Sequence, residues 1–449
     1  MLGRADSASP AGAGLRGTLP RVVEGAQRGG MIASETGNRK PAVTTLGSAD
    51  ALAKNPRFPE DGGVNHPAQG FQPLPSIAAV ADRCVQCGLC LPTCPTYALE
   101  GLEAESPRGR IALIKAWDTG SLEQTGASLG DTHLDQCLGC RRCEAVCPAE
   151  VPYGLLLTRA REQQRRRRPP GWRQRAAEIL AAHRNLRRGV FAIYRQLWPW
   201  LPAGLRPLPR PPAATPLPVT RPCPALHGSE PARAVIFTGC FAEHYEGPAR
   251  AGLTRLLHAL GIEASFPQAS VCCGALHLHG GDRDTAASLT GEVQRLFSRG
   301  GTVLSLASGC HDMLTEALGE SAVDAIVFIA AHADRLRFKP RTERVALHIP
   351  CTQRNVVRSD GALRDLLARV PALEIVVLGA GFGCCGAAGT QMLTMPAHAD
   401  RYRQPLLDQL AARGASRILS ANIGCRLHLA NGSTTPVQHP LEFLAESLI

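Results

Sequence analysis

The sequence predicts a mainly α-helical, cysteine-rich module followed by two α/β repeats, all preceded by a disordered N-terminal segment. Three observations carry this prediction. A cysteine motif occurs twice between residues 84 and 148, and a different group of cysteines recurs in the C-terminal half at offsets of 111 to 115 residues. The first 75 residues show no periodic spacing of apolar side chains. A chain of 449 residues has room for several such domains.

The N-terminal segment, residues 1–75, is predicted to be disordered. It is rich in Gly, Ala, Ser and Pro. Such a composition buries too little apolar surface to offset the entropy of ordering the chain. The segment is also somewhat rich in Arg, but it lacks the clear amphipathic helix that is typical of a targeting peptide.

The excess of positive charge is local. The net charge is +11, and the stretch from Arg159 to Arg175 alone contains eight Arg and one Glu. This run fits a solvated linker, a surface for an acidic partner subunit, or a surface for an anionic membrane. Nucleic-acid binding is disfavoured, because no basic module with interleaved aromatic residues accompanies the run.

Hydropathy limits the cellular location. No stretch of 18 or more apolar residues occurs, so the sequence predicts no membrane-spanning helix. A hydrophobic content of 44% is typical of a globular protein. We expect a cytoplasmic protein, with peripheral contact to the inner face of the cytoplasmic membrane as an alternative.

The doubled motif C-x2-C-x2-C-x3-C-P is the bacterial ferredoxin pattern. A [4Fe–4S] cube needs four thiolates, and three closely spaced Cys on a tight turn can bind three of its irons. The fourth Cys is too far along to reach the same cube easily, and in two-cluster ferredoxins it binds the other one. The sequence therefore predicts two [4Fe–4S] clusters, one held by Cys84, Cys87, Cys90 and Cys147, and one held by Cys137, Cys140, Cys143 and Cys94.

Zinc and disulfides are the alternatives for these eight residues. Zinc sites usually combine two C-x2-C pairs instead of four Cys in a row. Disulfides require an oxidising compartment, and no secretory signal is visible. The repetition of the whole motif favours iron–sulfur clusters over both alternatives.

The ferredoxin-like module is predicted to span residues 76–158 and to be mainly helical. Ser106 and Pro107 have the residue types of an N-cap and a first helical position. Apolar residues then follow at helical spacing, at Ile111, Leu113, Ile114 and Trp117.

A basic, Pro-rich connector is predicted at residues 159–230. Its first half has a helical pattern, and residues 202–224 are predicted to be extended. Aromatic residues lie beside Arg in this connector, which is typical either of an interfacial membrane helix or of a helix that packs onto the cluster module. We favour packing; the residues are Phe191, Tyr194, Trp198 and Trp200 with Arg187, Arg188 and Arg195. Cys223, in the extended half, is not expected to be a ligand.

Residues 231–340 and 341–449 are predicted to be two copies of one α/β unit. Each copy alternates strands and helices, which predicts a parallel sheet. The predicted strands are Val235–Thr238, Val303–Ala307, Val345–Ile349 and Ile418–Ser420. The first helix also repeats, because Leu253, Leu256, Leu257 and Leu260 match Leu363, Leu366, Leu367 and Val370 at i, i+3, i+4 and i+7.

Each copy contains four cysteines on three loops. Single Cys residues follow strand ends, where parallel sheets place their ligand sites, and a Cys-Cys-Gly loop lies between them. Adjacent thiolates can bind one polynuclear metal centre, whereas the alternative is buried structural thiols. The two sets are Cys240, Cys272, Cys273 and Cys310, and Cys351, Cys384, Cys385 and Cys425.

Residues 80–449 resemble known iron–sulfur proteins. The two repeats are similar to the CCG, or cysteine-rich, domain of the heterodisulfide reductase B subunit, and the whole of residues 80–449 resembles the iron–sulfur subunit of glycolate oxidase. The matching strings are Ser106-Pro107-Arg108-Gly109-Arg110-Ile111, Gly383-Cys384-Cys385-Gly386-Ala387-Ala388-Gly389-Thr390 and Ala421-Asn422-Ile423-Gly424-Cys425-Arg426-Leu427-His428-Leu429.

One feature departs from the reductase pattern. That family ends each repeat with Cys-x-x-Cys, but Met313 follows Cys310 and His428 follows Cys425 at this spacing. A noncubane cluster of the reductase type is therefore less expected than a cubane cluster or none. Since Met is a weak ligand and His a good one, the second repeat is the better metal site. We expect each four-Cys set to converge, with Met313 and His428 nearby.

The resemblance implies an electron-transfer subunit of a glycolate dehydrogenase complex. FAD-binding oxidase subunits would carry the flavin and the substrate site, electrons would pass to a quinone or another acceptor, and no catalytic residue is assigned to this chain. Two alternatives stay open. One is a subunit that serves a lactate or glycerol-3-phosphate dehydrogenase, and the other is a heterodisulfide-reductase-like thiol–disulfide enzyme.

Overall fold

The computed structural model describes residues 76–122, 129–213, 233–267, 269–298 and 300–449. The predicted disorder of residues 1–75 and the prediction for Cys223 lie outside the described residues.

The described part of the ferredoxin-like module is helical, as predicted. Ser106 caps its longest early helix, because the side-chain oxygen accepts a hydrogen bond from the Gly109 backbone N–H, and Pro107 opens the helix. Ile111, Ile114 and Trp117 then lie buried in the core of the module. The helices are α1 (Ile77–Ala81), α2 (Pro95–Glu100), α3 (Pro107–Asp118), α4 (Leu129–Gln136), α5 (Arg142–Ala145) and α6 (Tyr153–Arg167).

Helix α6 continues past residue 158, where the sequence placed the end of the module. Leu156, Leu157 and Ala160 all belong to the module's core. The apolar face of α6 is therefore shared between the predicted module and the predicted connector, and the basic run begins within a helix that is already packed.

The basic run faces the protein's own acids. Arg165 pairs with Glu178 and Asp282, and Arg167 pairs with Asp131. Arg161 is buried and donates to the Cys137 carbonyl at 2.7 Å. These contacts use the run to join α6 to its neighbours, which the sequence analysis did not anticipate.

The connector helices α7 (Trp172–Ala182) and α8 (Arg184–Leu197) follow α6. The buried Phe191 ring of α8 makes edge contacts with Phe241 and Tyr245 at centroid distances of 5.6 Å. Buried Arg187 donates to Ser270 Oγ at 3.0 Å. Helix α8 thus packs on the first C-terminal repeat, and the expectation that it packs on the cluster module was wrong.

Both C-terminal repeats contain a parallel sheet, as predicted. The strand orders are β2-β1-β3-β4 and β6-β5-β7-β8, with four strands in each sheet among the described residues. The strands are β1 (Arg233–Ile236), β2 (Glu263–Ser265), β3 (Thr302–Ser305), β4 (Ala322–Asp324), β5 (Arg344–Leu347), β6 (Glu374–Val377), β7 (Arg417–Leu419) and β8 (Val437–Gln438).

The predicted strands correspond to β1, β3, β5 and β7, but each observed strand begins and ends one or two residues earlier. The residues beyond each strand turn into the cysteine loops. Strands β2, β4, β6 and β8 were missed, because runs of two to four residues carry too little periodicity to be recognised.

The helices of the repeats flank these sheets. They are α9 (Ala242–Tyr245), α10 (Gly247–Ala259), α11 (Ala275–His279), α12 (Arg283–Leu296), α13 (Ser308–Leu318), α14 (Ala325–Ala331), α15 (Asp360–Ala368), α16 (Gln391–Thr394), α17 (Pro396–Arg413), α18 (Ile423–Gly432) and α19 (Pro440–Glu446).

The two repeats share one hydrophobic core. It contains Ile236 and Leu304 from the first sheet together with Leu347 and Leu419 from the second. Helix α19 packs on α10, and α14 packs on α15, so the last helix of each repeat covers the first long helix of the other. At Gly252 of α10, an added Cβ would lie 2.8 Å from the α19 backbone, so only Gly permits this approach.

Candidate metal centres

The two ferredoxin loops have the same backbone shape. In the first, Gln86 and Gly88 have φ of 56° and 82°, and in the second the matching Gly139 and Arg141 have φ of 59° and 56°. Left-handed residues at both positions make the turn tight enough for three Cys to face one point. Both copies of the motif therefore form the same tight turn.

The eight cysteines of the two motifs line two cavities. Cys84, Cys87, Cys90 and Cys147 line one cavity with Pro148 and Ile111. Cys94, Cys137 and Cys140 line the other with Tyr153. Cys143 borders both cavities. Each fourth Cys of a motif thus lies beside the three-Cys turn of the other motif.

Burial and nearby charges shift the pKa values of the thiols that line the second cavity. Burial raises the pKa of Cys140 to about 12, and nearby Cys384 and Cys137 add to the increase. Burial also acts to raise the pKa of Cys137, but the Arg110 and Arg161 guanidinium groups bring it below its usual value. Metal binding releases thiol protons, so a cluster would displace a proton that Cys140 holds tightly, whereas Cys137 gives up its proton more readily.

The four cysteines of the first C-terminal repeat converge, as expected. Cys240 follows β1, the buried pair Cys272 and Cys273 lies on the loop before α11, and Cys310 lies in the first turn of α13. Their thiols form a continuous series of sulfur contacts, from Cys240 to Cys272, to Cys273 and to Cys310. Cys240 lowers the pKa of Cys272, but Cys273 and burial raise it to about 12.

The set in the second repeat also converges. The Sγ atoms of Cys385 and Cys425 lie 3.0 Å apart, and Cys351 interacts electrostatically with Cys384 and Cys425. The thiol of Cys385 donates to Cys425 and lowers its pKa, whereas burial raises the pKa of Cys384 to about 11. Four thiols around one point fit an iron–sulfur centre, although which thiols bind iron stays a prediction.

Met313 and His428 lie near their sets but contribute differently. Met313 is buried in the apolar cluster that contains Cys273. Both ring nitrogens of His428 are occupied, because Nδ1 lies 2.6 Å from the Cys385 carbonyl oxygen and Nε2 lies 3.2 Å from Asp400 Oδ1. His428 therefore holds the Cys-Cys-Gly loop in place, and both of its ring nitrogens face protein oxygens.

Two further polar residues of the second site were missed by the sequence analysis. His348 directly follows β5, and one of its ring nitrogens lies within 4.8 Å of the Cys385 and Cys425 sulfurs. Asn422 donates to Cys425 Sγ at 3.4 Å and accepts from the Gly309 N–H at 3.2 Å, so it joins the two sites. A comparison of the two repeats could have identified both residues from the sequence, because Phe237 and Ala307 occupy the matching positions in the first repeat.

The ferredoxin-like module contacts the second site directly. Asn355 Nδ2 donates to the Cys140 carbonyl oxygen at 2.7 Å, and Arg142 donates to the Phe382 carbonyl. Cys384 adds to the rise in the pKa of Cys140, and Cys140 adds to the rise in the pKa of Cys351, so these sulfurs lie close together. The cysteine sets thus form a row from the ferredoxin loops to the second repeat, and on through Asn422 to the first.

Comparison with known proteins agrees with this arrangement. The family described as 4Fe-4S dicluster domain matches residues 80–151, and the family described as Cysteine-rich domain matches residues 234–315 and 345–430. The chain is 30% identical to the glycolate oxidase iron-sulfur subunit of Escherichia coli (strain K12) over 397 residues, which cover 82% of this chain and 95% of that protein. The chain belongs to the glycolate oxidase iron–sulfur subunit family.

Other relatives extend the comparison. The probable glycolate oxidase iron-sulfur subunit of Bacillus subtilis (strain 168) is 29% identical, over 78% of this chain and 88% of that protein. Lactate utilization protein A of Shouchella clausii (strain KSM-K16) is 23% identical, over 46% of this chain and 97% of that protein. Family membership confirms the predicted iron–sulfur character and the order of one two-cluster module before two cysteine-rich domains.

Proposed function

We propose that this chain is the electron-transfer subunit of a glycolate dehydrogenase complex. The observation that carries the proposal is the row of cysteine sets, in which the second ferredoxin loop lies against the second CCG site. The choice of glycolate as the substrate comes from the relatives that are named as glycolate oxidase iron-sulfur subunits. The flavin and the substrate site belong, on this proposal, to FAD-binding partner subunits, and the acceptor is a quinone or another oxidant.

The chain's residues would hold the clusters as the motif predicts. Iron–sulfur clusters supply one-electron transfer, at potentials set by their surroundings. The protein would contribute thiol ligands, apolar burial and fixed positive charge. Arg110 and Arg161, which both act on Cys137, favour its thiolate form and so favour the second cluster site.

One observation supports lactate as an alternative substrate. A relative named for lactate utilization covers almost half of this chain. A subunit that only relays electrons does not itself select the 2-hydroxy acid, so a lactate-oxidising partner is compatible with the same cysteine sets. The thiol–disulfide enzyme is less supported, because neither repeat has the fifth Cys that the reductase pattern contains.

Reconstitution tests the function. We expect the purified chain alone to leave glycolate unoxidised, and we expect it to restore glycolate-dependent dye reduction when it is combined with its flavoprotein partners. Lactate and glycerol 3-phosphate, assayed in parallel, distinguish the substrate classes. Turnover of glycolate by the isolated chain would contradict the proposal.

Iron analysis tests the cluster assignment. The anaerobically purified chain should contain about eight Fe in the ferredoxin-like module. Cys87→Ser should remove one reduced-cluster EPR signal and Cys140→Ser the other, while Cys223→Ser serves as the matched control without loss of iron. A chain that binds zinc and gives no such signals would refute the assignment.

We also propose peripheral contact between α8 and a membrane surface. In the described residues, no helix has both the length and the apolar character required to cross a bilayer. The outer face of α8 instead exposes a stripe at i, i+4, i+7 and i+11, which contains Leu186, Val190, Ile193 and Leu197, and Trp200 beyond it is 85% exposed. An apolar stripe with a nearby Trp and flanking Arg is typical of an interfacial helix.

A further inference from the structure

The second CCG site contains a histidine that the first site lacks. A ring nitrogen of His348 and the sulfurs of Cys385 and Cys425 all lie within 4.8 Å of one another. Among the described residues, no other three donors from His, Cys, Asp or Glu approach each other this closely. All three residues are buried, so water does not compete for these donors.

The orientation of the His348 ring is fixed from one side. Nδ1 lies 2.9 Å from Ser420 Oγ, and Ser420 is fully buried. With Nδ1–H donating to that oxygen, Nε2 carries the lone pair that a metal requires. Hydrogen bonding of one imidazole nitrogen, which leaves the other free to coordinate, is the usual arrangement of a metal-binding histidine.

Nε2 of His348 is buried without a hydrogen-bond partner. The Gly383 backbone lies close enough to act on the ring, but no group meets the distance and angle of a hydrogen bond to Nε2. A buried polar atom without a partner is destabilising, because it has lost its hydrogen bonds to water. A ligand at this point would remove that penalty, so the buried lone pair of Nε2 favours a bound metal.

The first repeat shows what the site looks like without this donor. Strands β1 and β5 are offset by 111 residues, so His348 occupies the position of Phe237. Ser305, which matches Ser420, instead lies 2.8 Å from Nδ1 of His311. His311 belongs to no close three-donor group in the described residues. The two repeats therefore differ at one donor position although their four cysteines match.

We propose that His348 Nε2 is an additional ligand of the metal centre held by the second CCG cysteine set. The second centre would have mixed thiolate and imidazole ligands, whereas the first would have thiolates alone. This inference rests on the proposed function, because it requires that the second repeat binds iron. An imidazole donor changes the electron density at the iron that it binds, and the potential of an iron–sulfur centre depends on its ligands and surroundings.

The test uses the full chain, purified without oxygen and labelled with ¹⁵N at histidine. The Cys384→Ser, Cys385→Ser double variant first identifies the EPR signal of the second repeat by its loss. Pulsed EPR should then detect histidine nitrogen coupled to that signal in the wild-type chain. His348→Phe, which copies the first repeat, should lose the coupling and shift the midpoint potential, and His311→Phe is the matched control that should leave the coupling and the potential unchanged.

The possible failures are distinguishable. If the signal that depends on Cys384 and Cys385 shows no histidine coupling in the wild-type chain, the ligand role of His348 is wrong and the electron-transfer proposal stands. Coupling that survives His348→Phe leads to the same conclusion. If the double variant keeps all iron and all signals, the second repeat holds no centre, and both this inference and its part of the proposed electron route are overturned. The wild-type measurement decides the question even if His348→Phe does not fold.

Discussion

Arg110 holds a cysteine loop in place without being a ligand itself. Its Nη1 donates to Thr96 Oγ1 at 2.9 Å, and that hydroxyl lies 3.2 Å from Cys94 Sγ. The same guanidinium forms an ion pair with Glu105, and both side chains are 1% exposed. One residue of the Ser106–Ile111 string therefore connects helix α3 to the predicted fourth ligand of the second cluster.

Loss of Arg110 should be costly. Arg110→Met leaves Glu105 buried without its main cation, which we expect to lower the unfolding free energy by about 3–5 kcal/mol. Chemical denaturation measures this change. The double variant Arg110→Met, Glu105→Gln removes the uncompensated charge and should recover much of the loss. Equal stability of the single and double variants would show that the buried charge is not the cause.

His279 makes stability depend on pH. Burial, together with nearby Arg161, lowers the pKa of His279 to about 3. Below about pH 6.5 the unfolded chain takes up a proton on this residue, while the folded chain does not. The contribution is therefore constant above that pH and is lost as the pH falls toward 3. From pH 7 to pH 5 the loss amounts to about 2 kcal/mol.

One variant isolates the contribution of His279 to the pH dependence of stability. His279→Gln should reduce the fall in unfolding free energy between pH 7 and pH 5 by about 2 kcal/mol relative to the wild-type chain. His258→Gln, at an exposed position of α10, controls for the general effect of replacing His by Gln. Parallel pH profiles for the wild-type chain and His279→Gln would contradict the assignment.

At the scale of the element, α8 has two faces with different roles. Phe191 and Arg187 face the first repeat, whereas Ile193 and Leu197 are 59% and 51% exposed. The aromatic pattern in the sequence indicated an amphipathic helix but not its partner. The buried face combines Phe191 with Arg187, while the exposed stripe is apolar, so the local sequence does not determine which face is buried.

The two faces of α8 can be separated by mutation. Ile193→Asp combined with Leu197→Asp should abolish sedimentation with anionic vesicles and leave the unfolding free energy within about 0.5 kcal/mol, because both positions are exposed. Phe191→Ala should instead cost about 3–5 kcal/mol, as a buried aromatic does. Unchanged vesicle binding by the double Asp variant would rule out this face as the membrane contact.

The elements that could be predicted are those with local causes. Helix α3 follows from the Ser106 cap and the periodic residues after it, and β1, β3, β5 and β7 follow from short apolar runs. Strand β8 has two residues and exists through pairing with β7, so no local pattern marks it. His348 resembles a strand residue in the sequence, and its role emerges only when three separate loops meet.

At the scale of the whole molecule, the repeats are not independent units. They share one core, and their last helices are exchanged across it. The predicted division into residues 231–340 and 341–449 describes the sequence repeat, but neither half would keep its core covered alone. This arrangement fixes the two CCG sites relative to each other, which the Asn422 link between them requires.

A single histidine lies where the three cysteine-containing parts meet. His279, from the first repeat, lies between Gly139 of the second ferredoxin loop and Gly389 of the second repeat. An added Cβ would lie 2.8 Å from His279 Nε2 at Gly139 and 2.6 Å from Nδ1 at Gly389. Glycine at both positions therefore permits the close packing that holds the cysteine sets in one row.

Gly389→Ala should disturb this contact more than backbone strain alone would. Gly389 and Gly414 both have left-handed φ, at +63° and +64°, but nothing lies within 4 Å of a Cβ at Gly414. We expect Gly414→Ala to cost about 1–2 kcal/mol in unfolding free energy from backbone strain, and Gly389→Ala to cost about 1–3 kcal/mol more from collision with the His279 ring. Denaturation curves measure both losses.

Adding His279→Ala should recover the collision part in Gly389→Ala but not change the effect of Gly414→Ala, because only the first pair is in contact. Equal losses for the two Gly variants would mean that the ring of His279 does not press against the second repeat, and that the row of cysteine sets depends on other contacts.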